Sequence, residues 1–560
     1  MMLTQGSQPL IATLSGVSLH TFLYRFGEWD TTSMLLVQIH TLIIVGGNLA
    51  LYLNLLKWTG LGLSPTVFSS LCGYHLLGVY CSMLVYRLLF HRLCRFPGPF
   101  FGRLTNFYTA TLSVNLQKPM EVQKLHREYG DYVRIGPCEL SVADPQAVKA
   151  IHGSQSPVTK GPWYTLLEPR VPLFMERDKK EHARRRKVWE QGFSTKALDD
   201  YEPRVYIYVD QLFQVIQKNA GKPIDITQWF TYFSFDVMID LSFGKSSNML
   251  INGKESYILE TIRTDMGRIA YFSHLAWLFP FTKRLPLLNS NFLRFWKWLA
   301  DQISERAKVD LVNDELHLLR VLTVLRQCEP ERPDVFSRVL NAYRQGPQSH
   351  QDTLNLHGDA HLIVVAGSDT VASTLINVFC HLACNPSITR ELQSHLDALP
   401  DLESDRLAQI DLLDAILNET MRFYSPNPSG LQRVTPAEGL QIGDKFIPGN
   451  VVVQVPTYTV YRDSRAFVHP DEFIPERWTT RPELVKDRSA FIPFSSGPYA
   501  CVGKRLALME LRRVIAVILR SYDVALAPGQ SAKAFWEGQM DTFTLVAPSL
   551  ELMFTRRNQL

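Results

Sequence analysis

Charge is nearly absent from the first ninety residues and abundant after them. No Lys, Arg, Asp or Glu occurs in 1–24, 31–56 or 58–86. A bilayer crossing needs ~20 apolar residues. The stretches 34–56 and 67–90 reach that length, although Gln38, His40, Asn48 and Asn54 interrupt the first; a third stretch, about 10–24, is shorter. These predict N-terminal transmembrane helices. Further along, apolar residues recur every three or four positions in 178–191, 206–218, 234–241, 291–311, 354–384 and 407–424, the period of half-buried helices. Short β-like runs at 132–135, 139–142, 440–442, 451–455 and 542–547 predict strands. The expected fold is mainly α with a smaller β-rich lobe.

Composition narrows the class. Of 560 residues, 46% are hydrophobic and 20% charged, enough apolar material for a large core. A net charge of +4 makes no electrostatic case for nucleic acid. The eight cysteines (72, 81, 94, 138, 328, 380, 384 and 501) have no disulfide-framework spacing, and Cys380 and Cys384 lack a second ligand pair for a metal. Reduced thiols and a cytosol-facing body are therefore expected. Arg87, His91, Arg92, Arg95 and Arg103 follow the last apolar stretch, and the positive-inside rule puts the remaining chain in the cytosol. No basic segment precedes the apolar ones, so a cleaved signal peptide is not expected. Phe96-Pro97-Gly98-Pro99-Phe100 then makes a stiff, non-helical turn. The organisation read from this is an anchoring region over 1–95 and one catalytic domain over 96–560.

The candidate chemistry centres on Phe494-Ser-Ser-Gly497-Pro-Tyr-Ala-Cys501-Val-Gly503, directly before a helix-forming run. A cysteine at the positive end of a helix favours the thiolate, which can bind a metal. The flanking glycines Gly497 and Gly503 allow close approach to something large and flat. A haem iron fits, with Cys501 as its ligand. Ala366-Gly367-Ser368-Asp369-Thr370 lies in the apolar helix 354–384, where small residues leave room for a ligand and loosen the helix. Asp369 and Thr370 there form a candidate proton relay. Glu419 and Arg422 share a helix face, and Arg477 lies in a Pro-rich segment before the cysteine loop; together they predict a buried Arg–Glu–Arg cluster. His182 and Arg186, four apart on a basic helix, and Arg433 after the Pro428-Ser-Gly-Leu turn are candidate cations for haem propionates. Arg184, Arg185 and Lys187 are expected to be solvated.

In this order the four motifs resemble those of the cytochrome P-450 family, membrane-bound haem-thiolate monooxygenases, over roughly residues 96–560. The resemblance implies the family's mainly helical fold with a β-rich lobe, and haem b with Cys501 as proximal ligand. It implies oxygen activation by Thr370 assisted by Asp369, a structural cluster of Glu419, Arg422 and Arg477, and propionate contacts from Arg186, Arg433 and His182. It also implies O2 as co-substrate, a lipophilic small-molecule substrate that is hydroxylated or epoxidised, and electrons from NADPH through a membrane-bound reductase meeting Lys504 and Arg505. The location implied is the endoplasmic reticulum membrane, with the catalytic domain cytosolic. The substrate pocket is expected at 163–167, 359–366, 429–431 and 542–544. One departure is Tyr499, where the family usually has arginine or histidine, so one ionic contact is missing. The long N-terminus and Gly161-Pro-Trp-Tyr164 are similar to fungal members that tailor secondary metabolites. A reductase-independent isomerase and a non-catalytic haem carrier are the alternatives, and the intact Asp369–Thr370 pair argues against both.

Overall fold

A helix that is apolar around its whole circumference has to be buried, and the longest such run, His350–Cys384, forms the axis of the fold. The structure, a computed structural model, describes residues 7–29, 32–53, 55, 64–284, 286–306 and 334–557. A capping box starts this central helix: the Ser349 hydroxyl accepts from the Asp352 amide, and the Asp352 carboxylate accepts from the Ser349 amide. The helix is long and apolar enough to cross a membrane, yet most of it is enclosed by protein. Its apolar character serves the core. The helix Ile226–Phe243 crosses it closely at Gly367, where a Cβ would lie 2.5 Å from the Met238 side chain. Gly367 thus serves helix packing as well as lining, with Ala366, the cavity expected beside it.

The expected helix over 178–191 is Lys179–Gly192, capped by the Asp178 carboxylate. The one expected over 206–218 begins at Thr195, because Ser194 caps it and Pro203 is accommodated inside. That expected over 234–241 runs Ile226–Phe243. Asp225 accepts from the Thr227 and Gln228 amides at its start, and Gly244, at φ +73, ends it. The helix expected over 291–311 is Pro286–Arg306, with 307–311 and Cys328 outside the described residues. In place of a single helix over 407–424 there is a turn, Ser404–Leu407, followed by Asp411–Phe423.

Strands Tyr132–Gly136, Glu139–Val142, Leu440–Ile442 and Val452–Gln454 form where alternation predicts them. The run 542–547 differs: Met540–Asp541 pairs with Leu545–Val546, and Phe543, at φ +84, lies in the turn between them. A left-handed phenylalanine gives no turn signal in sequence, since glycine or asparagine is the usual mark. The main sheet has the order Tyr132–Gly136, Glu139–Val142, Val452–Gln454, Arg433–Val434, Thr159–Lys160, and its register sets Lys160 opposite Arg433.

At the N-terminus, Ser33–Tyr52 and Pro65–Phe90 are long and apolar enough to cross a bilayer. Of the stretch 34–56, residues 54 and 56 lie outside the described residues. Gln8–Leu19 lies parallel to the second of these helices at glycine distance: Cβ atoms on Gly16 and Gly78 would meet the His75 and Thr13 carbonyl oxygens at 2.0 and 2.1 Å. The basic residues that follow are tied to the body. Arg92 and Arg95 donate to the Gly449 and Phe446 carbonyls. Glu28, before Ser33–Tyr52, accepts two hydrogen bonds of 2.9 Å from Arg177.

Candidate active site

The loop 494–503 and the central helix face one another across a cavity of about 590 Å³. Cys501 opens onto it. The loop is fixed by its own backbone, the Cys501 amide donating to the Phe494 carbonyl at 2.8 Å. Gly497 sits at φ +65, and a Cβ there would lie 2.7 Å from the Gly153 carbonyl oxygen, so this turn requires glycine. Gly503 is different: a Cβ there would meet the Phe193 ring at 3.6 Å and the Cys501 sulfur at 4.0 Å, both ordinary contacts. The helix start that favours a thiolate here competes with burial. Burial pushes the Cys501 thiol up, while the Gly503 and Lys504 amides and the charges of Arg186 and Lys504 pull it down.

On the opposite wall Thr370 lines the cavity, its hydroxyl donating to the Ala366 carbonyl at 2.9 Å. Ser368 and Thr374 likewise donate to carbonyls four residues back, and the helix runs unbroken through all three, without the loosening expected. Asp369 turns behind this wall toward Thr544 and Arg263. Burial pushes its carboxyl up to about 6, with Arg263 and Thr544 opposing.

At one end of the cavity, donors outnumber acceptors. Arg433 donates from Nη1 to the Tyr164 hydroxyl and the Gln432 carbonyl, each at 2.8 Å, while its buried Nε has no partner among the described residues. The buried Tyr499 hydroxyl also has none among the described residues. Above the Tyr499 ring lie the Lys160 ammonium and the Arg433 guanidinium, 4.8 and 5.0 Å from its centre. Burial, then Arg433, pushes Lys160 down to about 6. His182 packs edge-on against Tyr499 at 4.9 Å; burial, then Lys160, holds it down to about 3, so it is a neutral imidazole. Arg186 donates from Nε to Glu190 at 3.0 Å and from Nη1 to the Ala500 carbonyl, directly before Cys501. Arg185, expected in solvent, is instead buried, donating to Asp359 at 2.8 Å; this takes Asp359 out of the pocket wall.

Behind the loop, Glu419 is fully buried and accepts five hydrogen bonds. Arg422 grips both oxygens at 2.8 and 2.9 Å, and Arg477 Nε, Trp478 Nε1 and the Ile474 amide each donate at 2.9 Å. The arginines spend their remaining N–H groups on carbonyls of 461–484. The cluster thereby fastens the segment before the cysteine loop to the helix Asp411–Phe423.

The sequence missed Lys160, Glu510 and a wall of the cavity supplied by residues between 262 and 283 and by Phe292, Phe295 and Trp296, while Tyr164 falls in the expected stretch 163–167. Glu510 is 1% exposed on the helix Lys504–Ser521, Oε2 has no partner among the described residues, and burial pushes its carboxyl up to about 8. Its flanking Met509 and Leu511 are the one sequence clue, an acid set in a core stripe. Between about pH 4.5 and 8 the unfolded chain has lost this proton and the folded chain keeps it. Stability should therefore decline with rising pH over that window, and thermal melts of Glu510→Gln should show a flatter pH profile than wild type.

A family profile described as Cytochrome P450 matches residues 95–554. Cytochrome P450 monooxygenase orf5 of Eupenicillium brefeldianum is 51% identical over 499 residues, 89% of this chain and 98% of that protein. Cytochrome P450 monooxygenase FCK2 of Fusarium pseudograminearum is 45% identical over 551 residues, 97% and 96% of the two chains. Tryprostatin B 6-hydroxylase of Aspergillus fumigatus is 33% identical over 561 residues, 98% and 96%.

Proposed function

The chain belongs to the cytochrome P450 family, and from that premise we propose that it inserts one atom of O2 into a lipophilic small molecule of secondary metabolism, by hydroxylation or epoxidation. Electrons come from NADPH through a reductase that docks near the exposed Lys504 and Arg505, beside Cys501. In this reading 1–95 anchors the enzyme in the endoplasmic reticulum, and 96–560 is the catalytic domain facing the cytosol. The names of the relatives, which include a hydroxylase of tryprostatin B, support the reaction class. The observation that carries the reading is that Cys501 and Thr370 face each other across one largely apolar cavity.

The residues fit a haem. A sulfur opens into the cavity beside the Gly503 and Lys504 amides, which favour its anion, and buried donors of Arg433 and Tyr499 without a partner among the described residues stand ready for the cofactor's carboxylates. Bound haem supplies the iron at which dioxygen is cleaved. Cys501 would hold that iron, and Phe494, Gly497 and Gly503 would set the loop that presents the sulfur. Arg186, Arg433 and neutral His182 hold the carboxylate edge. Thr370 Oγ1 gives up its bond to Ala366 and positions a proton donor toward the cavity, and Asp369 behind it supplies protons. Because Asp369 has a pKa of about 6, its protonated fraction falls as pH rises through that value. Aromatic walls from Trp163, Phe174, Phe295 and Phe543 exclude water and accept an apolar substrate.

NADPH-dependent product formation with a reductase, together with a spectral change on substrate binding, tests the function. Turnover without NADPH would replace it with isomerase chemistry, and neither signal would leave a carrier. Thr370→Ala should leave haem content intact and lower product per NADPH several-fold, with electrons diverted to peroxide. Unchanged coupling would move the relay elsewhere.

A further inference from the structure

Three apolar stretches precede the catalytic domain, and the way they pack decides how many of them the bilayer holds. Gln8–Leu19 continues directly as His20–Tyr24, and at 1.5 Å per residue the run is about 25 Å long. That is the short end of what a crossing needs. It carries no charged residue. Leu10, Ile11, Leu14, Phe22 and Leu23 are exposed, whereas Gly16 and His20 are buried. The run advances in step with Pro65–Phe90: Ser15 Oγ pairs with His75 Nδ1 and His20 Nδ1 with Ser82 Oγ, each at 2.8 Å, and the His20 ring meets Tyr86 at 5.8 Å. Two polar groups that are costly in hydrocarbon thus pair with the neighbouring helix, at the place where Gly16 and Gly78 let the backbones meet. Ser33–Tyr52 runs the opposite way. Its His40 lies near Tyr24, at 3.4 Å, and its Asn48 accepts from Ser69 at 3.1 Å.

We propose that Gln8–Tyr24 is a third membrane crossing, its exposed face in bilayer hydrocarbon, with the end before Gln8 on the luminal side and the turn after Tyr24 in the cytosol, docked on the catalytic domain. This rests on the cytosolic placement of that domain in the reading above. A helix lying on the membrane surface runs across a crossing helix; this one runs along it, in the same direction. The ends agree. Arg25, the first charge in the chain, stands 5.8 Å from the Tyr86 ring and so at the level of Arg87, where basic residues mark the cytosolic face. Beyond it, Glu28 is held by Arg177, and Ser33 Oγ donates to the Trp277 carbonyl at 2.7 Å. Both partners belong to the catalytic domain, so the turn lies on its side of the membrane. Each partner adjoins the cavity wall: Phe174 and Met175 precede Arg177, and Leu278 and Phe279 follow Trp277. The turn between the first two crossings thereby ties two segments of that wall to the bilayer.

The test is N-glycosylation of the full-length enzyme in endoplasmic-reticulum membranes, since an Asn-X-Thr acceptor is modified only on the luminal side. One acceptor in a flexible spacer is added at a time: ahead of the N-terminus, after Gly27, between residues 53 and 64, or after Leu560, with the untagged enzyme as baseline. A glycan removable by endoglycosidase is expected on the first and third acceptors, and none on the second and fourth. An unmodified N-terminal acceptor overturns the proposal in favour of two crossings. A glycan after Gly27 overturns it in favour of one, and the absence of a glycan between 53 and 64 overturns it as well. An epitope ahead of the N-terminus should also resist protease in sealed vesicles and be digested once detergent is added; digestion in sealed vesicles counts against the third crossing. A glycan after Leu560 would instead overturn the cytosolic placement of the catalytic domain, and this proposal with it.

Discussion

Cys501→Ser is expected to abolish the reduced carbon-monoxide band from which the family takes its name, and to reduce product formation to background. A serine hydroxyl is not ionised at any accessible pH and is a poor partner for iron, whereas a thiolate pushes electron density toward it. The substitution is nearly isosteric. The loop is held by the amide of residue 501 on Phe494 and by the turn at Gly497, neither of which uses the sulfur. Circular dichroism and thermal melting should therefore stay close to wild type, and haem held by Arg186 and Arg433 should be retained in part. Persistence of the band in the serine variant would mean that another residue binds the iron.

The largest expected effect on stability comes from Glu419→Ala. It strands Arg422 and Arg477, both fully buried, with no carboxylate between them. Removing one partner from a buried ion cluster costs about 3–5 kcal/mol, a large share of the roughly 5–15 kcal/mol by which a domain is stable. Little folded protein should accumulate, and what does should carry little haem, because the segment before the cysteine loop loses its fastening. Glu419→Gln keeps two acceptor lone pairs and the shape, and should fall between. Soluble yield and the melting temperature check this. A Glu419→Ala protein melting within a few degrees of wild type would show that the carbonyls around Arg422 and Arg477 suffice.

The parts of the site legible in sequence are those carried by short segments. The cysteine loop is ten residues long and its glycine and cysteine types declare themselves; Ala366–Thr370 sits inside a helix whose apolar length cannot be missed. Glu419, Arg422 and Arg477 were legible as a set only because their order along the chain matched the other motifs. Two local readings changed. The helix start before Lys504 favours an anion at Cys501, but enclosure of the sulfur acts more strongly in the opposite direction. Gly367, read as ligand space, does line the cavity, but it also receives Met238 from another helix.

Spacing along the chain determined which segments are apolar on one face, on all faces or in a bilayer, because those periods follow from backbone geometry alone. It also determined the loop that offers the sulfur. Tertiary structure alone decided which distant groups share a low-dielectric space: Lys160 beside Arg433 and Tyr499, Arg185 against Asp359, Glu510 without a partner. Burial and pairing are properties of three-dimensional neighbours, and they set whether a lysine is a solvated surface charge or a buried group pushed toward its neutral form.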